Sequence, residues 1–387
     1  MSSEDWYDRL RVDRIINGVG TSTHVGGSLM PDEVLRAMEQ AARDFVDLRQ
    51  LQQRAGEHIA RLTGNEACYI CAGSSSGLFL AAAACMTGND PGRIRRLPDT
   101  TGMPNEFLVH RTHMNPYDRI IPVAGARLVE FGYARYTKPW QMEEAITENT
   151  AGVFYFFYRG GWRHEHSALT LQETIDIAHS HDLRVIVDAA GQLPPPENLR
   201  RFTAMGADLV VFSGGKGLRG PQSSGLLFGP RDLIQACQLM GPPNHNIGRS
   251  MKVPKEEIVG LVAAVERYLS LDHQREIENY EKVVARLVEA ISGISGLQAS
   301  RRMPGDSGEP YPFCEVRFPG ENATARRDWM VENLLNWDPP IYVSSILPDC
   351  VSINALCLGE GQEETIIEAI SDLSRQMPAD PAENAGA

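Results

Sequence analysis

The chain has 387 residues and is acidic, since 50 Asp and Glu side chains outnumber 37 Lys and Arg and give a formal net charge of −13 at pH 7. This balance disfavours a nucleic-acid partner, because proteins that bind a phosphate backbone need a basic face that displaces its counterions. No apolar run reaches the roughly 18 residues that span a bilayer, and the first residues lack the basic and apolar regions of a signal peptide, so we expect a cytoplasmic protein with no membrane partner.

Hydrophobic residues make up 42% of the chain, which predicts one large domain and one small domain. We expect an N-terminal arm at residues 1–30, a large domain at 31–255, and a linking helix with a small domain at 256–377. Residues 378–387 carry too little apolar surface to fold and are expected to be disordered.

A first helix is predicted to begin at Pro31, because proline and acidic residues favour a helix N-terminus, and its apolar periodicity continues with an interruption towards Ile59. A strand predicted at 68–72 then runs through Gly73-Ser74-Ser75-Ser76-Gly77 into an alanine-rich helix. The free N–H groups and positive dipole end of such a helix favour a bound phosphate. Taken alone, the same stretch is also typical of an ordinary helix start.

Two groups of residues have the composition of a metal site but not its arrangement. Cys68 and Cys71 are three apart on a predicted strand, so their side chains point to opposite faces and cannot easily share a metal or a bond. His164 and His166 have no second ligand pair with zinc spacing. We therefore predict no metal site and expect the seven cysteines, an odd number, to be free thiols.

A further apolar strand, predicted at 107–110, ends in a group of side chains that could cover a flat ligand. These are His110, Arg111 and His113. Considered alone, each histidine is more often a surface or hydrogen-bonded residue. After the next strand, predicted at 152–157, residues 158–166 are rich in groups that could bind a polar substrate, although their composition also fits a solvated loop.

Two buried strands, predicted at 184–188 and 208–212, carry the residues of greatest chemical interest. The first ends at Asp188, and the second is followed by a glycine-rich loop that contains Lys216. Small neighbours let a planar aldehyde lie against the backbone while the lysine amine condenses with it as a Schiff base. Pyridoxal 5'-phosphate (PLP) is such an aldehyde, and its pyridinium nitrogen needs an anionic partner such as Asp188. Alone, the lysine also fits a solvated loop and the aspartate a helix N-cap.

The order of these parts strengthens the PLP interpretation. The Gly73–Gly77 loop, the strand that ends at Asp188 and the strand that precedes Lys216 each place polar residues at a strand end, where open α/β sheets bind ligands. Helices predicted at Leu171–His179 and Leu199–Met205 alternate with the strands, and a last strand of this region is predicted at 225–228. This alternation predicts an α/β fold with a mainly parallel sheet covered by helices.

The C-terminal part is predicted to form the small α+β domain. A long amphipathic stretch runs from Pro254 to about Ile294. The strands that follow, interleaved with helices, are predicted at Tyr311–Phe318, Ile341–Ser344 and Val351–Leu356.

Several motifs resemble the PLP-dependent enzymes of fold type I, the aspartate aminotransferase superfamily. Within it the chain resembles the group that joins bacterial selenocysteine synthase (L-seryl-tRNA selenium transferase) with D-glucosaminate-6-phosphate ammonia-lyase-like enzymes. The resemblance covers about residues 10 to 290 and is carried by Ile15–Ser28, Gly73–Gly77, Ile186–Pro195, Ser213–Gln222 and Ile247–Glu257. It implies a PLP-dependent transferase fold with a seven-stranded sheet.

The resemblance also implies roles for single residues. Lys216 would form the Schiff base, Asp188 would hold the pyridinium nitrogen, and His113 would cover the outer face of the ring, with Arg111 as the second candidate. The selenium-transferase branch has Ser-Arg-Gly-Glu at this position, so the chain departs from that branch. The expected catalytic residues are Lys216, Asp188 and His113, and the expected cofactor-binding residues are Gly73, Ser74, Ser75, Ser76, His113, Asp188, Gln192, Ser213 and Lys216.

The nearest pattern is that of the ammonia-lyases, so we expect α,β-elimination of an amino acid or amino sugar acid to a 2-oxo acid and ammonia. Lys216 would act as the general base at the Cα proton. Selenocysteine synthases carry an additional N-terminal domain for tRNA, whereas this chain reaches its Ile16–Gly20 segment within its first twenty residues. Together with the acidic charge, this argues against a tRNA substrate.

A substrate carboxylate needs a cation, and a guanidinium matches it best. The candidates are Arg249 first, Arg219 second, and Arg111. Sites of the family are assembled at a subunit interface, which implies a homodimer or a larger homo-oligomer. Two alternatives stay open at this point: another PLP reaction, as in a racemase, an aldolase or a β-replacement enzyme, and a non-catalytic PLP-binding protein.

Overall fold

The computed structural model describes residues 5–157, 168–305, 309 and 311–378. Contacts divide the chain into two compact units, a larger one built from Ser28–Leu271 and a smaller one that contains residues 5–27, 272–305 and 311–378. The predicted substrate loop at residues 158–166 and the predicted tail after residue 378 lie outside the described residues. Within the described ranges, none of the helices combines the length and the apolar character needed to cross a membrane. The predicted domain boundaries stay a prediction.

The elements follow one another along the chain with many alternations of strand and helix. The strands are β1 (Ile16–Gly18), β2 (Ala67–Cys71), β3 (Glu106–His110), β4 (Arg127–Phe131), β5 (Thr150–Phe156), β6 (Arg184–Asp188), β7 (Leu209–Ser213), β8 (Gly225–Gly229), β9 (Gln298–Arg302), β10 (Phe313–Arg317), β11 (Ile341–Val343) and β12 (Cys350–Asn354). The helices are α1 (Trp6–Leu10), α2 (Asp32–Ala42), α3 (Leu48–Thr63), α4 (Gly73–Thr87), α5 (Pro91–Arg96), α6 (Pro139–Ala145), α7 (Leu171–Ser180), α8 (Asn198–Ala204), α9 (Arg231–Met240), α10 (Lys255–Ser270), α11 (His273–Ser292), α12 (Ala323–Leu335) and α13 (Gln362–Ser374).

The larger unit is built on a seven-stranded sheet with the strand order β2-β8-β7-β6-β5-β3-β4. Strand β8 runs antiparallel to its neighbours β2 and β7, whereas the remaining adjacent strands pair in parallel. Helices connect the parallel strands, as the right-handed crossovers of such sheets require. The predicted mainly parallel seven-stranded sheet is therefore confirmed.

Two apolar cores cover the two faces of this sheet. Val109 of β3 and Val211 of β7 belong to one core, while their chain neighbours Leu108 and Val210 belong to the other, because successive side chains of a strand point to opposite faces. Helix α4 lies in the first core, and after its serine-containing first turn it is apolar on all sides, with Leu78 to Ala84 all buried. A helix that is hydrophobic on all sides is typical of a central, buried position.

The smaller unit has two sheets of its own. Strands β1 and β11 pair in parallel, and β9, β10 and β12 form an antiparallel sheet with the order β12-β10-β9. Apolar residues of α11, α12 and α13 pack together with one face of β10 and β12 to form its core. The predicted small α+β domain is therefore present.

The long amphipathic stretch predicted from Pro254 to about Ile294 is divided into α10 and α11. The break falls at Leu271 and Asp272, and the Asp272 carboxylate accepts a hydrogen bond from the backbone N–H of Arg275 at 3.1 Å. An aspartate that caps a helix in this way starts a new helix even where the apolar pattern continues.

The first prediction concerns the contact between α3 and β2. A Cβ added to Gly56 of α3 would lie 2.2 Å from the carbonyl oxygen of Cys68, a backbone atom inside the sheet that cannot move aside. We expect Gly56→Ala to lower the free energy of unfolding by about 2–3 kcal/mol, because overpacking against a fixed backbone is costly. The measurement is urea denaturation followed by circular dichroism.

Gly293→Ala is the matched control, because Gly293 ends α11 at φ −77° and a Cβ there would meet its nearest atom at 3.4 Å. This variant should be as stable as the parent chain. Equal stability of the two variants would contradict the close approach of α3 to β2.

Candidate active site

The residues predicted to form the site lie at one edge of the seven-stranded sheet. Asp188 is the last residue of β6, Ser213 is the last residue of β7, and both strands run in the same direction. Gly225 of β8 pairs with Ser213 on one side and with Cys71, which precedes α4, on the other. Neighbouring strands are about 4.8 Å apart, so the end of β3 lies about 10 Å from that of β6, across β5. The sheet thus brings together segments from four parts of the chain.

The loop that carries Lys216 can form only because glycines surround the lysine. A Cβ on Gly215 would lie 2.4 Å from the Cα of Gln222, and one on Gly217 would lie 2.5 Å from the carbonyl oxygen of Leu193. The carbonyl oxygen of Gly215 accepts hydrogen bonds from the backbone N–H and the hydroxyl of Ser28, at 3.1 and 2.9 Å. The loop is therefore fixed on both sides of the lysine.

The Lys216 amine is directed towards the residues that follow β6. Its Nζ lies 3.9 Å from the position that a Cβ on Gly191 would occupy. The side chain is partly buried, and within the described ranges no hydrogen bond to Nζ is formed. The positive charge of Lys216 also acts on Asp188, whose pKa it lowers. The predicted lysine and the predicted aspartate are therefore close enough to interact.

Asp188 is a partly buried carboxylate at the end of β6. Burial raises the pKa of Asp188 above its usual value, and the hydrogen bond from the backbone N–H of Ala190, at 3.0 Å, and the charge of Lys216 oppose this effect. Because the burial effect is the larger one, the carboxylate lacks part of the stabilisation that it would have in water. A cationic ring nitrogen at this position would supply it.

The N-terminus of α4 has the properties of an anion site. No side chain caps this 15-residue helix at Ala72, and its first turn contains no acidic residue. Gly73 has φ +78°, a backbone conformation that favours glycine, and a Cβ there would meet no atom within 4 Å. Ser74, Ser75 and Ser76 form the first turn, and the Ser76 hydroxyl donates to the carbonyl oxygen of Ala72 at 2.8 Å. Open space and uncapped N–H groups are what a phosphate requires.

The two candidates for covering the cofactor ring differ in their surroundings. His113 is 8% exposed in the 3-10 turn Arg111–His113 that follows β3, and its ring lies 4.7 Å from the ring of Tyr155 at an angle of 79°. Arg111 is half exposed, and its Nε lies 3.0 Å from a carboxylate oxygen of Glu130. The ion pair holds Arg111 at the surface between β3 and β4, whereas His113 is packed among rings.

The remaining predicted residues also lie in the larger unit. Arg249 is partly buried in the 3-10 turn Ile247–Ser250, and its guanidinium forms no hydrogen bond or ion pair with any residue that the structure describes. Arg219 has φ +54° in the turn after the lysine, where its backbone N–H donates to the carbonyl oxygen of Lys216 at 2.9 Å. Gln192 is buried, and its backbone carbonyl oxygen accepts a hydrogen bond from the side-chain amide of Asn198 at 2.7 Å.

Three residues near the site received no role from the sequence. Ser28 donates hydrogen bonds to the lysine loop. It lies in the Ile15–Ser28 segment, so the sequence indicated the importance of the segment but did not reveal this contact. Tyr155 and Thr174 surround the histidines of β3 and its turn. Both lie inside regular apolar patterns of a strand and a helix, where a functional residue cannot be told from a core residue. Among the described residues, no three His, Cys, Asp or Glu side chains are grouped so that they could hold a metal.

Comparison with known proteins adds three relatives of high similarity. A 5'-C-glycyluridine monooxygenase-decarboxylase from Streptomyces is 34% identical over 95% of this chain and 91% of its own length. The D-glucosaminate-6-phosphate ammonia lyase of Salmonella typhimurium is 35% identical over 76% of this chain and 77% of its own length. A solved structure of D-glucosaminate-6-phosphate ammonia-lyase has 30% identity and a TM-score of 0.80, and the match covers 97% of this chain and 100% of that one.

These matches confirm the predicted PLP-dependent transferase fold and the predicted resemblance. The sequence model of one family, described as SelA, L-seryl-tRNA selenium transferase, matches residues 15–295, which include every predicted site residue. The chain therefore belongs to the L-seryl-tRNA selenium transferase (SelA) family.

Proposed function

We propose that this protein is a PLP-dependent ammonia-lyase that acts on an amino acid or amino sugar acid by α,β-elimination. The observation that carries the proposal is the convergence of Lys216, Asp188 and the uncapped N-terminus of α4 at one sheet edge. The similarity to D-glucosaminate-6-phosphate ammonia lyase, at 35% identity, supports the lyase class that the sequence predicted. The substrate is a small molecule.

The residues present fit PLP. The first turn of α4 would hold the phosphate through its N–H groups and serines, with the buried hydroxyl of Ser213 beside it. Asp188 would pair with the ring nitrogen, which offsets the cost of its burial. His113 would lie against the ring, and Lys216 would bond to the aldehyde carbon. When bound, PLP supplies an electron sink for a broken bond at the substrate Cα.

The chain itself performs binding and proton transfer. Arg249 has a guanidinium without a protein partner among the described residues, so it is available for a bidentate contact with the substrate carboxylate. Lys216 Nζ would take the Cα proton as general base once the substrate amine has displaced it from the aldehyde carbon. The electron pair left on Cα then expels the leaving group at Cβ, and the enamine product hydrolyses to a 2-oxo acid and ammonia.

One observation favours a second candidate function. The match to the 5'-C-glycyluridine monooxygenase-decarboxylase covers 95% of this chain, compared with 76% for the ammonia lyase of Salmonella typhimurium. An enzyme with that name releases the substrate carboxylate as carbon dioxide and consumes dioxygen. The same lysine, aspartate and phosphate site would serve it, so the reaction products decide between the two candidates.

The second prediction is the outcome of a direct assay. The PLP-loaded protein is incubated separately with D-glucosaminate 6-phosphate and with 5'-C-glycyluridine, and ammonia, 2-oxo acid, carbon dioxide and dioxygen uptake are measured. We expect ammonia and a 2-oxo acid in equal amounts from the amino sugar acid, with no dioxygen uptake, and no product from Lys216→Ala.

A related amino sugar acid or β-hydroxy amino acid that gives the same two products would support the lyase class with another substrate. Carbon dioxide release with dioxygen uptake from the glycyl nucleoside, and no ammonia from any of the amino acids, would overturn the proposal in favour of the second candidate.

The third prediction follows from the raised pKa of Asp188. In the cofactor-free protein the ionised carboxylate destabilises the fold at neutral pH, since its pKa is higher in the folded chain than in the unfolded chain. Asp188→Asn keeps an oxygen that can accept from Ala190 but carries no charge. We expect this variant to raise the melting temperature of the cofactor-free protein at pH 7. The gain should shrink as the pH falls through the raised pKa and vanish below the usual pKa of aspartate, where both states are protonated.

The same change should weaken catalysis by the PLP-loaded enzyme about 10- to 100-fold, because a hydrogen bond to a charged group is lost. A variant that is less stable than the parent chain without PLP, or fully active with it, would contradict the place given to Asp188. Asp99→Asn is a control, because that carboxylate is exposed and its pKa is lowered by hydrogen bonds from Thr101.

A homo-oligomeric assembly and a cytoplasmic location stay predictions.

A further inference from the structure

His110 occupies a closed position next to His113. It is the last residue of β3, it has 0% exposure, and its ring lies 4.3 Å from the ring of Phe131 and 4.7 Å from that of His113. The Tyr155 ring is edge-on to it at 6.0 Å. Burial lowers the pKa of His110 well below its usual value, and the neighbouring His113 contributes in the same direction. His110 is therefore neutral at physiological pH.

The hydrogen bonds of Thr174 determine which nitrogen of His110 carries the proton. The hydroxyl of Thr174 donates to the carbonyl oxygen of Thr170 at 2.9 Å, and it has one hydrogen to give. It must therefore accept at His110 Nε2, which lies 3.3 Å away. Nε2 is consequently protonated, and Nδ1 is a bare, buried nitrogen without a hydrogen-bond partner in the described part of the chain.

The His113 ring is held from two sides. His110 lies 4.7 Å from it at an interplanar angle of 58°, and Tyr155 lies at the same distance at 79°. Rings that contact a third ring from two directions restrict its rotation. A side chain that covers a flat cofactor must keep one orientation, because stacking depends on the angle between the planes. The bond to Thr174, in turn, fixes the rotation of His110.

We propose that His110 is a positioning residue whose Thr174-anchored ring holds His113 in the orientation that covers the cofactor. This inference rests on the proposed function, since it takes His113 to lie against PLP. His110 does not touch the cofactor itself, and its effect reaches the cofactor through His113. Thr174, a fully buried residue of α7, acts with His110 because its hydroxyl fixes the His110 ring.

The test is a double-mutant cycle on the PLP-binding protein. Thr174→Val removes the hydroxyl with almost no change in shape, Thr174→Ser keeps it, and His110→Phe keeps a ring without the N–H. Each variant is made alone and in a His113→Ala background. The readouts are the PLP dissociation constant and the visible circular dichroism per bound PLP, which reports how the cofactor is held.

We expect Thr174→Val and His110→Phe to weaken PLP binding about 5- to 10-fold, the effect of one lost hydrogen bond, and to reduce the dichroism per bound PLP. Thr174→Ser should match the parent protein. In the His113→Ala background neither change should have a further effect, because coupled residues are not additive. Equal losses in both backgrounds, or no loss in either, would overturn the proposal.

A measurement without the cofactor separates this inference from the proposed function. Nitrogen-15 spectra of the histidine-labelled, cofactor-free protein should show His110 as neutral at pH 7, with the proton on Nε2. The groups that face it from β4, β5, α7 and the 3-10 turn are Phe131, Tyr155, Thr174 and His113. None of them supplies a negative charge at this pH. A His110 ring that carries its proton on Nδ1, or that is charged at pH 7, would overturn the inference even if PLP binds and the lyase reaction occurs.

Discussion

The close approach of backbone segments at the carboxyl edge of the larger sheet is the constraint on which the site depends. A Cβ on Gly225 of β8 would lie 2.8 Å from the carbonyl carbon of Gly73, and one on Gly77 of α4 would lie 2.8 Å from a methyl group of Val211. No side chain fits at these points. The N-terminus of α4 is therefore held against β7 and β8, beside the loop that carries the lysine. Without this approach the phosphate site and the amine would belong to separate regions.

The same arrangement brings together polar and charged groups that lack a full set of partners within the described residues. Helix α4 offers uncapped N–H groups, Asp188 is a carboxylate whose pKa burial raises, and Lys216 is a partly buried amine without a hydrogen-bond partner among the described residues. Each is a cost to the folded chain until a ligand with a phosphate, a basic ring nitrogen and an aldehyde satisfies all three. Sites that bind and react are expected to carry such costs, since they are built for the ligand and not for the fold alone.

Much of this arrangement could be predicted from the sequence because it depends on local patterns. The predicted strand 184–188 coincides with β6, and the predicted strand 225–228 differs from β8 by one residue. Buried strands give continuous apolar runs, which are easy to recognise. Strand β4 was not predicted, because it is a partly exposed edge strand whose charged and apolar residues form neither a continuous apolar run nor a regular alternation. Strand β9, a polar edge strand, was missed for the same reason.

Contacts between residues far apart in the chain could not be predicted from local sequence patterns. The pairing of β1 with β11 joins residues more than 300 positions apart, which no local pattern reveals, and it places residues 5–27 in the smaller unit. In the same way, the three candidates at the end of β3 and in the turn after it were ranked by the family resemblance, with His113 first and Arg111 second, but their surroundings could not be predicted. The ion pair of Arg111 with Glu130 and the enclosure of His110 leave His113 as the ring that is held in place from two sides.

The central claim is that the Lys216 amine bonds to the PLP aldehyde, and chemical trapping tests it most directly. The protein is loaded with PLP, reduced with borohydride and digested, and the pyridoxyl group is located by peptide mass spectrometry. We expect the label on Lys216, with a loss of the visible absorption band in Lys216→Arg and no loss in Lys252→Arg, which changes a lysine elsewhere in the larger unit. A protein that binds PLP but carries the label on another lysine, or on none, would contradict the account.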